Sequence, residues 1–264
     1  MDQFFSGIKL YGDDFSLDEI QAWFEDEKEG YADLGAKNKT QYSYAYHELN
    51  KIFGFECIKN IRDAEVLGLG SAYGDELLPV LPQSKAITIL EPSDSFQNAQ
   101  IHGVPCHYVK PSMNGDMPFE DNKFNIITSF GVLHHIPNVS HVISEIARCL
   151  DKGGYALIRE PITSMGDWRN KRPGLTMRER GIPVKLFDEM IEKSGMEITR
   201  KTLCMFPPLS ILAKKFGITP YNSRFIVYLD KLLSSVFYWN YSYHAEKGYQ
   251  KFRPTSVFYL LRKK

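Results

Sequence analysis

The sequence has few cysteines, no long apolar run, no net charge and no repeats, and each shortage removes a class of protein. Its four cysteines, Cys57, Cys106, Cys149 and Cys204, are widely scattered among 264 residues and form no C-x-x-C pair. That pattern is neither a zinc site nor a disulfide framework and fits reduced thiols. No metal ligands are assigned. No apolar run approaches the roughly 20 residues that span a bilayer, and Met1-Asp2-Gln3 lacks the basic start of a signal peptide. A cytoplasmic location without membrane insertion is expected. Thirty-two basic residues balance thirty-two acidic ones, which argues against a nonspecific nucleic-acid binder.

The remaining composition is that of a soluble globular chain, with 43% hydrophobic residues to supply a full core. The length suits one large domain or one domain with an elaborated cap. The balanced charge hides an asymmetry. Residues 1–35 carry ten acidic side chains against Lys9 and Lys28, and residues 161–264 carry 19 basic against 8 acidic. Solvated surface explains such blocks, and so does an acidic lid over a site whose far wall attracts anions.

The chain is organised around residues 65–76, Glu-Val-Leu-Gly-Leu-Gly-Ser-Ala-Tyr-Gly-Asp-Glu. An apolar run long enough for a buried strand passes into small residues and then into Leu77-Leu78-Pro79-Val80, read as the opening of a helix. Glycines let a backbone approach a ligand closely, and a helix start offers unpaired N–H groups. A β-branched run over 86–91 follows and ends on Glu91, 21 residues past Gly70. Strand, glycine turn, helix, strand and terminal acid make a βαβ unit of the dinucleotide-binding kind, in which the acid accepts from both ribose hydroxyls.

Upstream, Ser16-Leu17-Asp18-Glu19 reads as a capping box, and Tyr42, Ala45, Tyr46, Leu49, Ile52 and Phe53 mark a second helix ended by Gly54. The tyrosines there, Tyr46 among them, either pack in the core or line a substrate entrance. Downstream, strands are expected over 104–109, 124–130, 155–161, 196–204 and 255–262. A helix carrying Ile143, Ile146 and Ala147 is stopped by Gly153-Gly154, and one opened by Pro183 ends at Gly195. Strands alternating with helices specify a parallel sheet covered on both faces, with ligands beyond its carboxyl ends. Gly70, Glu91, residues 130–135 and Glu160 all lie at such ends and converge on one crevice.

Five motifs in order over roughly residues 60–160 carry a resemblance: 66–70 (Val-Leu-Gly-Leu-Gly), 89–91 (Ile-Leu-Glu), 117–124 (from Met-Pro-Phe to Phe124), 131–136 (Gly-Val-Leu-His-His-Ile) and 148–154 (Arg-Cys-Leu-Asp-Lys-Gly-Gly). The chain resembles a class I S-adenosylmethionine-dependent methyltransferase of the subgroup related to ubiquinone and menaquinone biosynthesis enzymes (methyltransferase type 11). The resemblance implies an α/β, Rossmann-like, seven-stranded, mostly parallel sheet flanked by helices. It would carry a helical cap over 1–58, a cofactor-binding core over 59–204, a helical insertion over 205–254 and a last strand over 255–264. The implied cofactor is S-adenosylmethionine, leaving as S-adenosylhomocysteine. It would be held by Gly68, Leu69, Gly70, Ser71, Ala72, Glu91, Pro92, Asn114, Gly115, Phe130 and Gly131. Two positions depart from the family. Most members have an acid where Gly68 stands and a glycine where Ala72 stands, and the family acid helps hold the methionine amino group.

Methyl transfer to oxygen needs the acceptor in line, water excluded and a base for the departing proton. In related O-methyltransferases a histidine of the 131–136 stretch and an acid at the neighbouring strand end serve the acceptor. That implies His135 as base, His134 second, and Glu160 orienting the imidazole. Arg169, Arg178 and Arg180, in a long basic loop after the fifth strand, are candidates for an anionic acceptor, or else for pairing with the acidic amino terminus. The charge asymmetry points to O-methylation of a small polar acceptor such as a sugar or nucleotide-linked sugar. The aromatic-rich insertion, residues 206–252, favours instead C-methylation of a lipophilic, quinone-like ring. Gly68 and Ala72 motivate a third reading, a fold kept for binding alone. The partner expected is a small molecule, and a homodimer is compatible with the sequence.

Overall fold

A computed structural model describes residues 2–32, 42–168 and 170–264. The apolar runs become one sheet of eight strands: β1 (Ala64–Leu69), β2 (Ser84–Leu90), β3 (Gln100–Ile101), β4 (Val104–Val109), β5 (Phe124–Phe130), β6 (Leu150–Pro161), β7 (Met196–Cys204) and β8 (Ser256–Lys263). Their spatial order is β3-β4-β2-β1-β5-β6-β8-β7. Strands β4, β2, β1, β5 and β6 run parallel, while β8 is antiparallel to both β6 and β7. Strand order reverses between β1 and β5, and a crevice opens at such a switch point.

The eighth strand is β3, two residues long, paired antiparallel with β4. His102 and Gly103 join them with φ of 48° and 84°, the left-handed pair of a tight hairpin turn. A strand this short carries too little alternation to be read from sequence. β6 starts at Leu150, five residues earlier than expected, because Gly153 and Gly154 lie within the strand.

The helix expected after the glycine turn is not formed. Two 3-10 turns, Asp75–Leu77 and Leu81–Gln83, occupy the connection instead. Pro79 and Pro82 each lack the N–H that a helix interior needs, so the chain cannot continue as α-helix there. The upstream helix is also shorter than its apolar spacing suggests, α3 spanning only His47–Phe53.

Both faces of the sheet are covered. On one, Leu67, Ile127, Ile158 and Leu261 pack with Val142, Ile143 and Ile146 of α4 (Val139–Cys149) and Phe187 and Ile191 of α5 (Val184–Lys193). On the other, Val66, Ile126, Leu157 and Phe258 pack with Leu49, Ile52 and Phe53 of α3, Val227 of α7 (Arg224–Val236), and turn residues Leu77 and Val80. The insertion before β8 is helical as expected, with α6 (Pro207–Lys215) preceding α7. Asp230 of α7 is buried and accepts the N–H groups of Met205 and Phe206, each at 2.8 Å, which fixes the β7–α6 junction. No helix among the described residues is long and apolar enough to cross a membrane.

The amino-terminal segment roofs the carboxyl ends of the strands. It comprises α1 (Asp2–Phe5), a single turn, and α2 (Leu17–Glu27). Glu19 accepts the Ser16 N–H at 2.9 Å, as the capping box predicts. Trp23 is fully buried and donates from Nε1 to the His135 carbonyl at 2.7 Å. Asp13 accepts the Ser140 N–H at 2.8 Å, satisfying a free donor in the first turn of α4. These long-range bonds set α2 directly over the switch point.

Candidate active site

Beyond β1 the chain turns sharply, with Gly70 at φ 60° and Ala72 at φ 47°. Ala72 therefore keeps the left-handed backbone that a glycine would occupy without strain. The turn is held from outside. Glu91, at the end of β2, accepts the Ala72 N–H at Oε2 (3.2 Å) and the Ser93 N–H at Oε1 (3.1 Å), and Tyr108 Oη donates to the Ala72 carbonyl at 2.7 Å. Burial pushes the Glu91 carboxyl up to about 7 against the pull of those two N–H groups.

Under the roof lies a cavity of about 500 Å³, lined by Gly70, Ser71, Ala72, Glu91, Pro92, Phe130, Gly131, His134 and His135 from the strand ends and by Tyr44, Tyr46 and Glu27 from the cap. An apolar recess of about 110 Å³ adjoins it, lined by Leu69, Leu90, Met113, Gly115, Met117 and Val142. Gly70, Pro92, Val132 and His135 border both spaces.

The 3-10 turn Leu133–His135 presents two stacked imidazoles, ring centroids 4.1 Å apart. Glu160 at the end of β6 clamps this turn. Its Oε1 accepts the Val132 and Leu133 N–H groups, each at 2.9 Å, and its Oε2 lies 2.7 Å from His134 Nδ1. The imidazole that Glu160 orients is thus His134, not His135. His134 Nε2 lies 3.3 Å from Glu179 Oε2. Burial disfavours charge on His134, but hydrogen bonds to Glu160 and Glu179 overcome it and raise the ring to about 9. His135 is held below its ordinary value by burial and by the charge on His134. Its Nδ1 lies 2.8 Å from Glu27 Oε2, so the partner that orients it comes from α2.

His134, His135 and Glu179 place ligand atoms within 4.8 Å of one another, close enough to share a cation. In the arrangement present, each ring's Nδ1 faces a carboxylate and His134 Nε2 faces Glu179, so the cluster satisfies itself.

The sequence profile of the methyltransferase domain family matches residues 67–158. That match covers 92 of the 264 residues, and the sheet is the mostly parallel, Rossmann-like one that the resemblance implies. A demethylmenaquinone methyltransferase of Bacillus cereus is 31% identical over 103 residues, 38% of this chain and 42% of that protein. The chain thus spans less than half the length of the curated relatives it matches. Among solved structures, a chain of the complex between the Haloferax volcanii Trm112 methyltransferase activator and its inferred methyltransferase has a TM-score of 0.59 at 14% identity, covering 90% of this chain and 96% of that one. An inferred methyltransferase from Bacillus halodurans has a TM-score of 0.52 at 19% identity, covering 79% and 96%. At these identities the likeness is one of fold.

Within the methyltransferase domain and its cap, most of the expected residues line the two spaces, and several do not. Gly68 lies beneath the turn, where an added Cβ would stand 2.3 Å from Ser71 Oγ. Asn114 turns its amide to Asp116 at 2.7 Å and lines neither space, unlike its neighbour Gly115. Arg178 pairs with Asp26 at 2.6 Å and lines neither space, which is the pairing with the acidic amino terminus rather than an acceptor contact. Arg180 is fully buried. Its guanidinium donates to the carbonyls of Tyr11, His134 and Pro137 at 2.8, 3.1 and 3.0 Å, and the side chain lines neither space. Arg169 lies outside the described residues. The residues missed were Glu27, Glu76, Arg159 and Glu179. Glu76 and Arg159 had a visible signal, a charge set inside an apolar stretch, whereas Glu27 and Glu179 were hidden among other surface-like charges.

Proposed function

We propose that this protein transfers a methyl group from S-adenosylmethionine to an oxygen of a small polar acceptor. The observation that carries the reading is the position of Glu91, a buried carboxylate whose cavity adjoins an apolar recess. A nucleoside asks for that pairing: an acid for its ribose hydroxyls and an apolar slot for its base. Leu90, Pro92, Met113 and Met117 would flank the base. When bound, the cofactor supplies an electrophilic methyl on a sulfonium that is its own leaving group.

The chain's own residues supply position, dryness and a base. Glu27 accepts the Nδ1 proton of His135, which leaves Nε2 as the acceptor for a hydroxyl proton. His134, charged at neutral pH, cannot take that proton. It anchors the turn through Glu160 instead. Helix α2, held by Trp23 and Asp13, closes the crevice to water.

Calorimetry with S-adenosylhomocysteine tests the cofactor assignment, micromolar binding being expected. A folded protein that binds neither S-adenosylhomocysteine nor S-adenosylmethionine would sink the reading. Transfer of a labelled methyl to a panel of hydroxyl acceptors, with His135→Ala beside the native protein, tests the base. Loss of about 100-fold or more in the variant is expected.

One observation favours a second reading, C-methylation of a lipophilic ring. Helix α7 is apolar on its outer face too, with Phe225, Tyr228, Leu232 and Val236 exposed at helical spacing. Such a stripe suits contact with a lipid phase that holds the acceptor. An already acidic ring needs little help from a base, so under this reading His135→Ala would lose less than about tenfold.

A further inference from the structure

Two charged side chains in the main cavity have no part in the account so far. Glu76, 5% exposed, sits in the 3-10 turn after the glycine loop. Its Oε1 accepts from Ser71 Oγ at 2.6 Å and from Thr128 Oγ1 at 3.4 Å. Arg159, 4% exposed, stands near the end of β6. Its guanidinium lies 3.9 Å from the centre of the Tyr46 ring and Nη2 reaches the Phe130 carbonyl at 3.5 Å, but Nη1 has no hydrogen-bond partner. Both residues line the same cavity. Neither forms an ion pair among the described residues, yet each feels the other's charge.

A buried guanidinium with an unmet N–H and a buried carboxylate, facing one space without touching, are costly unless something bridges them. Gly68 explains why the acid stands at 76. A Cβ at position 68 would lie 2.3 Å from Ser71 Oγ, and that hydroxyl is the group bonded to Glu76. A side chain at 68 would need the volume that the Ser71 side chain, which holds Glu76, and the tip of Leu77 now fill. The missing acid in the strand and the present acid in the turn are two halves of one exchange.

We propose that Glu76 and Arg159 are the two poles of a receptor for an α-amino-acid zwitterion, Glu76 taking the ammonium and Arg159 the carboxylate. In this chain Glu76 thereby replaces the acid that resembling proteins carry where Gly68 stands. The inference rests on the S-adenosylmethionine reading, since the methionine end of that cofactor is such a zwitterion.

Binding, not turnover, tests it. The probes are S-adenosylhomocysteine, its analogues lacking the amino or the carboxyl group, and 5′-methylthioadenosine, which keeps the nucleoside and has no amino acid. With the native protein, deleting either charged group from the ligand should weaken binding about 10- to 100-fold. Glu76→Gln and Arg159→Met should each weaken S-adenosylhomocysteine by a similar factor while leaving methylthioadenosine within twofold, and retained methylthioadenosine binding certifies the fold of each variant. Analogues that bind as well as S-adenosylhomocysteine, or variants that weaken both ligands equally, would overturn the proposal and leave the cofactor reading standing. Native protein that binds none of the four probes would overturn both.

Discussion

Glu27 Oε2 lies 2.8 Å from His135 Nδ1, a contact between residues 108 apart that joins the acidic cap to the histidine proposed as base. A carboxylate there fixes the tautomer and raises the basicity of the ring. Glu27→Gln keeps the shape and removes the charge. Titration of the His135 ring by NMR should then show its pKa lower by about one unit than in the native protein. An unchanged value would mean that Glu27 is only a packing contact.

His134 and Glu76 make stability fall with rising pH in two separate windows. The folded His134 titrates near 9 against 6.5 when free, so its contribution is complete below about 6.5 and is lost as pH rises to 9. Glu76 titrates near 7 against 4.5, because burial outweighs its hydrogen bonds from Ser71 and Thr128. The folded state therefore holds that proton more tightly, and stability falls between about 4.5 and 7. Each shift corresponds to about 3 kcal/mol at most. Denaturant titrations across pH should show both steps, with Glu76→Gln reducing the lower, to which the equally raised Glu91 also contributes, and His134→Gln removing the upper. A lower step of undiminished size in Glu76→Gln, or an upper step that survives His134→Gln, would assign it elsewhere.

The long-range architecture was legible because it rests on patterns local to each element. Strands β1 and β5 are buried on both faces over most of their length and read as largely apolar runs, and β2 becomes so toward its carboxyl end. Glu91 was legible because β2 runs parallel beside β1 and ends level with the glycine turn, whatever form the connection takes. Side-chain partners were not. Whether Glu160 meets His134 or His135 depends on the 3-10 geometry of three residues, and Glu27 reaches its histidine only because Trp23 and Asp13 dock α2. The basic loop left two readings open, an anionic acceptor or pairing with the acidic amino terminus. Arginine at a sheet edge looks alike whether it faces an anion or a backbone carbonyl, and Arg180 faces three carbonyls.

Ala72 sets relief of strain against loss of packing. A left-handed alanine costs roughly 1–2 kcal/mol, which Ala72→Gly would relieve. The same change gives up about 0.8 kcal/mol of methyl burial beside Tyr73 and Phe96, and about 0.5–1 kcal/mol to the freer unfolded chain. The terms nearly cancel, so Ala72→Gly should shift unfolding by less than about 0.5 kcal/mol. Ala72→Val places a β-branched residue in the same conformation and should cost more than about 2 kcal/mol. Equal effects in urea unfolding would mean that the turn relaxes and Glu91 does not hold it.

Arg180 and Arg178 separate a structural arginine from a surface one. Arg180 bridges the cap, through Tyr11, to the 134–137 turn, and its guanidinium lies 5.1 Å from the Trp23 ring. Burial disfavours its charge and pulls it down to about 10. Arg180→Met removes that charge but leaves the Tyr11 carbonyl without its donor, while the His134 and Pro137 carbonyls keep the backbone N–H groups of Arg180 and Val139; the second effect is larger because the bonds tying the cap to the 134–137 turn go with it. A loss of about 2–3 kcal/mol is expected, with faster amide exchange across residues 17–27. Arg178→Ala breaks a part-exposed pair with Asp26 and should cost no more than about 1 kcal/mol. Since neither side chain lines the cavity, S-adenosylhomocysteine affinity in Arg178→Ala should stay within twofold of native. A large loss of affinity in that variant would return the basic loop to the site.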